Sequence, residues 1–508
     1  MRDRYPGAAA ALDAMSEDPA TADVDAARIA NAVRRAAADP DYAEVLAGQV
    51  ASQGSSAALP ASGVRALPGG RHAVHNLAAG QVRLGRPAPD SRGQILSSDH
   101  FGVDLDVLRT SLLAVGPPGS GKTRGIAVPV VEHLCLGALA GQSSVVVVDP
   151  KGTDFGFDGW FDVTIDPLAP TCGFSLFGGA RSADAAADRL ASTLLPPDVS
   201  DDKAYFVDAS RNALYSCLAP FHAAFGRWPA VPELLALLRA EQSALDRVKS
   251  ALKGPGAKEH KTLLDTRVQQ GRARVDAAAS LVERFALLDR PAMRGLFDHP
   301  GPVFRMEEVN RPVRVRVVLP ESELPDASRI LARIVVSQFV QTVSAPDADR
   351  GVFKGLVIDE AGRFVDDYVA RGVQRLRSGN AGLVLLSQSL SDFPAELRHT
   401  VFGSTGCKVV FGGVDPNDAD VFSAWFGEHY ETETVRSVGS STDRRYDRYG
   451  RPAGGAESES RGLAFRRVER PRWSASDIIT GVPRGHALVC LARSSGERVG
   501  PVLVDLRS

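Results

Sequence analysis

An α/β fold, with a largely parallel sheet covered by helices on both faces and an inserted all-α domain, is predicted by three features of this 508-residue sequence. Short apolar runs recur with helical stretches between them, a glycine-rich turn follows the first run, and one long stretch has helical periodicity without a convincing strand. A strand buried on both faces reads as a continuous apolar run because neither side meets water.

The first fifty residues are Ala-rich, with a helix expected from Asp25 to Ala38 that stops at Asp39-Pro40, where the pyrrolidine ring disfavours continuation. This is a small appendage (1–50). Residues 51–70, with Gly54-Ser55-Ser56, Pro60 and Pro68-Gly69-Gly70, have the composition of a flexible linker. The main body opens at 71 and its first part runs to 227. Strands are expected at Ser111–Val115, Val145–Val148, Val313–Leu319, Leu356–Ile358 and Leu383–Leu386. Residues 228–300 form the all-α insertion, with Leu234, Leu235, Leu237 and Leu238 at helical spacing between Trp228-Pro229 and Pro300-Gly301-Pro302. The body resumes over 301–508. Within it 431–461, rich in Gly, Ser and Arg and lacking apolar periodicity, is expected to be a long mobile loop.

Composition excludes several classes. With 59 basic and 61 acidic residues the formal charge is −2, which rules out a wholly basic nucleic-acid coat but leaves room for a local basic channel. The five cysteines (Cys135, Cys172, Cys217, Cys407, Cys490) are dispersed and without metal-ligand spacing, as thiols of a reducing compartment are. Neither a signal peptide nor an apolar stretch of bilayer-spanning length is visible, so a cytoplasmic location is expected, with any membrane association borrowed from a partner.

Gly116-Pro117-Pro118-Gly119-Ser120-Gly121-Lys122-Thr123 satisfies G-x-x-x-x-G-K-[ST] between an apolar strand and the helix-compatible run Ile126 to Leu136. Glycines let the backbone N–H groups of such a loop turn toward phosphates; Lys122 reaches the β and γ oxygens and Thr123 ligates Mg²⁺. ATP and Mg²⁺ are therefore the expected cofactors, in a P-loop NTPase (RecA-like) body. A glycine-rich turn without nucleotide is the alternative, and the flanking strand and helix weigh against it.

Leu356-Val357-Ile358-Asp359-Glu360 ends a strand in two acids. Asp359 is expected to hold the metal through water and Glu360 to polarise the attacking water as general base. Alone, the pair reads equally well as a solvated turn; the glycine-rich loop gives it a role. Gln388, after Leu383-Val384-Leu385-Leu386-Ser387, is where a side-chain amide would sense the γ-phosphate, and one β-α-β crossover fits between Asp359 and Gln388. A capping residue is the plainer reading of Gln388 taken by itself.

These motifs, with Val145 to Gly152 (ending Asp149-Pro150-Lys151-Gly152) and Arg377-Ser378-Gly379 running into Leu386-Ser387-Gln388-Ser389-Leu390, resemble the ordered motifs of VirD4/TraG-type conjugative coupling proteins of the FtsK/HerA group. Ile165-Asp166-Pro167-Leu168, Tyr205-Phe206 with Ala209 to Leu214, and the tail from Val468 to Arg507 fit the same order, so the resemblance covers most of Leu112 to Arg507. The 237 positions between Lys122 and Asp359 weaken the alternative of an AAA+ protein and demand a large insertion. Family members carry an all-α domain there, which the resemblance implies engages DNA or accessory proteins. It further implies a homohexamer in which an arginine completes the neighbouring site, with Arg377 the first candidate and Arg375 the second; an exposed helix arginine is the other reading. Most coupling proteins begin with transmembrane helices, and the soluble Ala-rich start here puts direct anchoring in doubt.

Two stretches bear on nucleic acid, and neither assigns a DNA-binding residue. Arg247, Lys249, Lys253, Lys258, Lys261, Arg267, Arg272 and Arg274 face three acids between Asp246 and Arg274, as a phosphate track or as a solvated helix surface. Arg444-Arg445-Tyr446-Asp447-Arg448-Tyr449-Gly450-Arg451 interleaves arginines with aromatics that stack on bases, a composition disorder also produces. The resemblance implies an ATP-hydrolysing DNA translocase or coupling protein that delivers DNA, single-stranded with its relaxase, to a conjugative type IV secretion channel or to a separate membrane protein. The rival is a nucleotide-switched recruitment hub for secretion substrates that does not pump DNA.

Overall fold

A computed structural model describes residues 1–59, 63–89, 99–195, 204–272, 276, 278–365, 372–373 and 375–507. In chain order the strands are β1 (Gln81–Pro87), β2 (Phe101–Asp104), β3 (Leu112–Val115), β4 (Ser143–Asp149), β5 (Val163–Ile165), β6 (Gly173–Phe174), β7 (Val303–Phe304), β8 (Arg314–Val318), β9 (Phe353–Ile358), β10 (Ala381–Ser387), β11 (Cys407–Phe411), β12 (Glu428–Tyr446), β13 (Pro452–Pro471), β14 (His486–Ala492) and β15 (Arg498–Asp505).

Eleven of these form one sheet in the order β2-β1-β15-β14-β11-β3-β10-β9-β4-β8-β5. The seven strands from β11 to β5 are mutually parallel, and those from β11 across to β2 pair antiparallel. Every residue of β3, β4, β9 and β10 is buried, as expected of strands covered on both faces. All five runs expected from the sequence lie in the parallel part. The acid-bearing β9 does not adjoin β3: β10 lies between them, so Gln388 rather than Asp359 follows the strand next to the glycine-rich loop.

The all-α region is longer than the sequence boundaries suggest. It opens with Ala183–Leu194 and Ala204–Phe225, continues through Val231–Leu238, Gln242–Ala251, Ala257–Arg272 and Ala279–Ala286, and closes with Pro291–Phe297. Ala204–Phe225 packs on Ala183–Leu194 on one side of Trp228-Pro229 and on Val231–Leu238, Gln242–Ala251 and Ala257–Arg272 on the other, so Trp228-Pro229 is a turn inside the lobe and not its edge. The Trp228 ring stacks on Phe177 at 5.2 Å and packs on His222 at 4.5 Å.

At the N-terminus Pro6–Glu17, Asp23–Ala38 and Pro40–Gln53 enclose a core of their own around Leu12, Ile29, Leu46 and Val50. Pro40 ends one helix and starts the next: Asp39 accepts from the N–H groups of Asp41 and Tyr42, both at 3.1 Å, and Pro40, with no N–H to satisfy, fits the first turn. The bundle docks on the body through Asn31 to the Gly141 carbonyl and Gln142 to the Ala27 carbonyl, each 3.0 Å. The described part of the linker is tied down by Arg65 on Asp25 and by the Trp160 indole N–H on the Pro68 carbonyl; residues 60–62 lie outside the described residues.

The expected loop over 431–461 is instead most of a long antiparallel ribbon, with β12 and β13 paired from Glu428↔Pro471 to Tyr446↔Pro452. Threonines, serines, valines and charged residues are mixed along both strands, and strand geometry satisfies the backbone although no core face reveals the period. Among the described residues no helix is long and apolar enough to cross a membrane.

Candidate nucleotide-binding site

The glycine-rich loop leaves β3 and enters a wide π-type turn, Thr123–Ala127, before the helix Val128–Leu139. Pro129 offers no N–H to the Gly125 carbonyl, and widening the turn by one residue removes the clash its ring would make in an α-helix. Two glycines are required by geometry. A Cβ on Gly116 would lie 2.7 Å from Phe411 Cβ, and Gly121 has φ +105°. The loop is pinned to the neighbouring strand by the Gly116 N–H on the Ser387 carbonyl, 3.2 Å.

Lys122 is buried, and its ammonium donates to the Gly116 and Pro117 carbonyls at 2.5 and 3.1 Å. Burial holds its pKa below the ordinary lysine range, with Asp359 pulling the other way. The Thr123 hydroxyl donates to Asp359 at 3.2 Å. Asp359 directly follows β9, and burial holds its carboxyl above the usual range against the opposing pull of the Lys151 ammonium, 3.9 Å away, and the Glu360 N–H. A hydroxyl and a buried, incompletely neutralised carboxylate side by side are hard oxygen donors that fit Mg²⁺.

Glu360 has φ +50°, a conformation that costs energy for a residue with a Cβ and points it away from the strand direction. Its carboxylate sits 3.1 Å from Arg363, which also bonds Glu321 at 2.7 Å. Gln388 is held through its backbone: its N–H and the Ser387 hydroxyl bond the Asp392 carboxylate at 2.9 and 2.8 Å. Pro118, Gly119, Gly121, Lys122, Thr123, Asp359, Glu360 and Gln388 therefore line one cleft of about 300 Å³, together with Lys151 and Arg124. An adjoining cleft of about 400 Å³ shares Gly121 and Arg124 and contains Ser120, Phe411 and Leu506.

Arg377 is not brought to this cleft. It precedes β10, whose seven residues span about 23 Å, whereas Gln388 follows it. The Arg377 guanidinium donates to the Ser494 carbonyl. Arg375 lines a separate cavity of about 880 Å³ between the lobe and the body.

Lys151 was the residue without a sequence-assigned role, although Asp149-Pro150-Lys151-Gly152 after a strand marked the place. Asp149, fully buried, accepts from the Gly152 and Phe155 N–H groups at 3.0 and 3.2 Å and from Arg316 at 2.8 Å, which shapes the turn presenting Lys151. Arg363, Glu321 and Asp392 carried no comparable signal, because each acts through a partner distant in sequence or through the backbone.

The basic stretch of the lobe is mostly occupied or structural. Arg267 is buried on Asp276 and the Leu238 carbonyl, Lys249 pairs with Asp265 and Arg247 with Glu233, while Lys253, Lys258, Lys261 and Arg272 are exposed. Arg274 lies outside the described residues.

No curated protein matches this chain. Residues 355–468 match the family described as the TraM recognition site of TraD and TraG. Among solved structures, the unbound bacterial conjugative coupling protein TrwBdeltaN70 is 20% identical with a TM-score of 0.55, covering 84% of this chain and 92% of that one. Plasmid coupling protein TrwB in complex with ADP and Mg²⁺ is 18% identical with a TM-score of 0.54 over 84% and 93%. TrwB with the non-hydrolysable ATP analogue ADPNP is 18% identical with a TM-score of 0.52 over the same shares. The chain thus shares the fold of the conjugative coupling protein TrwB, and its residues 355–468 are similar to the TraM recognition site of TraD and TraG.

Proposed function

We propose that this chain is a P-loop ATPase that couples ATP hydrolysis to the movement of DNA, single-stranded and travelling with a relaxase, toward a conjugative type IV secretion channel. The observation that carries the reading is the Thr123 hydroxyl 3.2 Å from the buried Asp359 carboxylate, in the cleft that Lys122, Glu360 and Gln388 also line. The loop Gly116–Thr123 receives the phosphates. Lys122 exchanges its two carbonyl partners for phosphate oxygens, and Lys151 reaches the same region from the opposite wall. Thr123 and Asp359 would hold Mg²⁺, which supplies charge neutralisation at the β and γ oxygens. TrwB complexes with ADP and Mg²⁺ and with an ATP analogue support this choice of cofactors. Glu360, oriented by Arg363, accepts the proton of the attacking water, and Gln388 reports the state of the γ-phosphate to the Asp392 turn.

Arg377 lies too far from its own cleft to act there, which favours action on a neighbour in a homohexamer, where a guanidinium in trans neutralises transition-state charge. The chain would work in the cytoplasm, recruited to the inner face of the membrane by a partner.

A second reading is supported by the match of residues 355–468 to a TraM recognition site: a recruitment hub in which nucleotide switches affinity for a protein partner. Steady-state ATPase activity with and without single- and double-stranded DNA, beside Glu360→Gln, separates the two. DNA-stimulated turnover lost in Glu360→Gln supports the motor; turnover indifferent to DNA, with nucleotide-dependent binding of a protein partner, supports the hub.

A further inference from the structure

The β12–β13 ribbon is longer than the fold requires. Nineteen residues of β12 project about 60 Å at strand rise, with almost every side chain exposed and no packing on the sheet beyond the base. An isolated two-stranded ribbon is marginal in water, so its end is the part whose chemistry needs an account.

That end is ordered and unlike its surroundings. The Asp447 side chain accepts from the N–H groups of Tyr449 and Arg451 at 2.8 and 2.9 Å, closing the turn with Gly450 at φ +72°. This fixes Tyr446 and Tyr449 outward, 59% and 72% exposed, with Arg448 over the Tyr449 ring at 5.1 Å. Arg444, Arg445, Arg448 and Arg451 are all exposed, and none forms an ion pair among the described residues. Residues 443–451 hold four arginines against two aspartates, in a chain whose overall charge is −2. Lower on the ribbon Arg470 is matched by Glu431 and Glu433 and Arg461 by Glu459, while Arg436, Arg466 and Arg467 are exposed without the tyrosines that accompany the arginines of the tip.

We infer that the ribbon tip is a contact site for single-stranded nucleic acid, with the four arginines on phosphates and Tyr446 and Tyr449 as stacking faces for unpaired bases. The inference rests on the DNA reading of the protein and adds the place of contact. Exposed ring faces beside unpaired guanidiniums suit a strand whose bases are unstacked, since a duplex offers its phosphates but not its base faces. Backbone and stacking contacts of this kind carry little sequence preference.

The test is fluorescence anisotropy of the full chain with labelled oligothymidylate and with a duplex of equal length, across a salt series. Tyr446→Ala/Tyr449→Ala is expected to weaken single-strand binding roughly ten- to a hundredfold and to leave duplex binding unchanged. Arg444→Ala/Arg445→Ala/Arg448→Ala/Arg451→Ala is expected to flatten the log K against log salt slope by about 3. Unchanged binding of a fluorescent ATP analogue shows that the variants fold. Wild-type binding that both variants retain, at the same slope, overturns the site and leaves the DNA reading standing. No DNA binding by the wild type removes both. A variant that loses a protein partner while keeping DNA binding overturns the inference and assigns the tip to protein recognition.

Discussion

Asp149→Asn tests whether the turn bearing Lys151 depends on one buried charge pair. Asp149 has no exposed surface, and the Arg316 side chain facing it at 2.8 Å is only 13% exposed. Removing one partner of a buried pair costs about 3–5 kcal/mol because the other charge is left unmatched. Asparagine still accepts one N–H bond and Arg316 keeps the Gly152 carbonyl at 2.6 Å, so the lower end, about 3 kcal/mol, applies. This is a large share of a typical 5–15 kcal/mol of stability and is readable as a lower urea midpoint at unchanged m. Nucleotide affinity should fall as well, since Lys151 loses its position beside Asp359. Lys151→Ala separates the effects: half-exposed, it should lose nucleotide affinity while moving stability by no more than about 0.5 kcal/mol. Asp149→Leu/Arg316→Leu should recover part of the stability and none of the affinity, because it removes the unmatched charge but leaves the Gly152 and Phe155 N–H groups without their acceptor. Asp149→Asn unfolding within about 1 kcal/mol of wild type would refute the reasoning.

Lys408 is buried between the rings of Trp425 and Phe402, 4.0 and 4.5 Å from its ammonium, with the Thr405 carbonyl at 2.5 Å. Burial pushes it down to about 8, and Lys354 likewise. An unfolded lysine keeps its proton until about 10.4, so the unfolded chain binds more protons across that window and stability should rise as pH climbs from about 8 toward 10.4. Lys408→Met should melt higher at pH 7, by about 1–3 kcal/mol, and show a shallower rise; an unchanged pH profile would count against the burial argument. For Arg377, mixing Arg377→Ala with Lys122→Ala subunits should restore turnover that neither has alone, because some interfaces then regain both an intact loop and an intact arginine. Failure of complementation in assembled mixtures would place Arg377 outside the reaction.

The glycine-rich loop, the paired acids and Gln388 were legible because each is a short signature at the end of an apolar run. Strand direction brings such ends to one edge of a parallel sheet, so residues 237 positions apart, Lys122 and Asp359, share a cleft. The strands β1, β2, β11, β14 and β15 were not legible. β2 and β11 are short, β11 is interrupted by the buried Lys408, and β1 and β15 have solvent-facing residues that mask their period. The ribbon is hidden in the sequence for a related reason: with both faces in water, nothing marks period two.

By itself the sequence determined the chemistry available to the chain: a phosphate loop, two acids after a strand, an amide after the next, and an all-α stretch between them. Only the tertiary structure decided which groups act together. It interposed β10 between the loop and the acids, set Lys151 on the same carboxylate as Thr123, gave Glu360 to Arg363, and put the length of β10 between Arg377 and the cleft. The reason is physical. A motif records which atoms can bond a phosphate or a metal over a few residues, whereas ion pairs such as Asp149–Arg316 and Arg363–Glu321 are contacts between distant segments, set by strand order and burial.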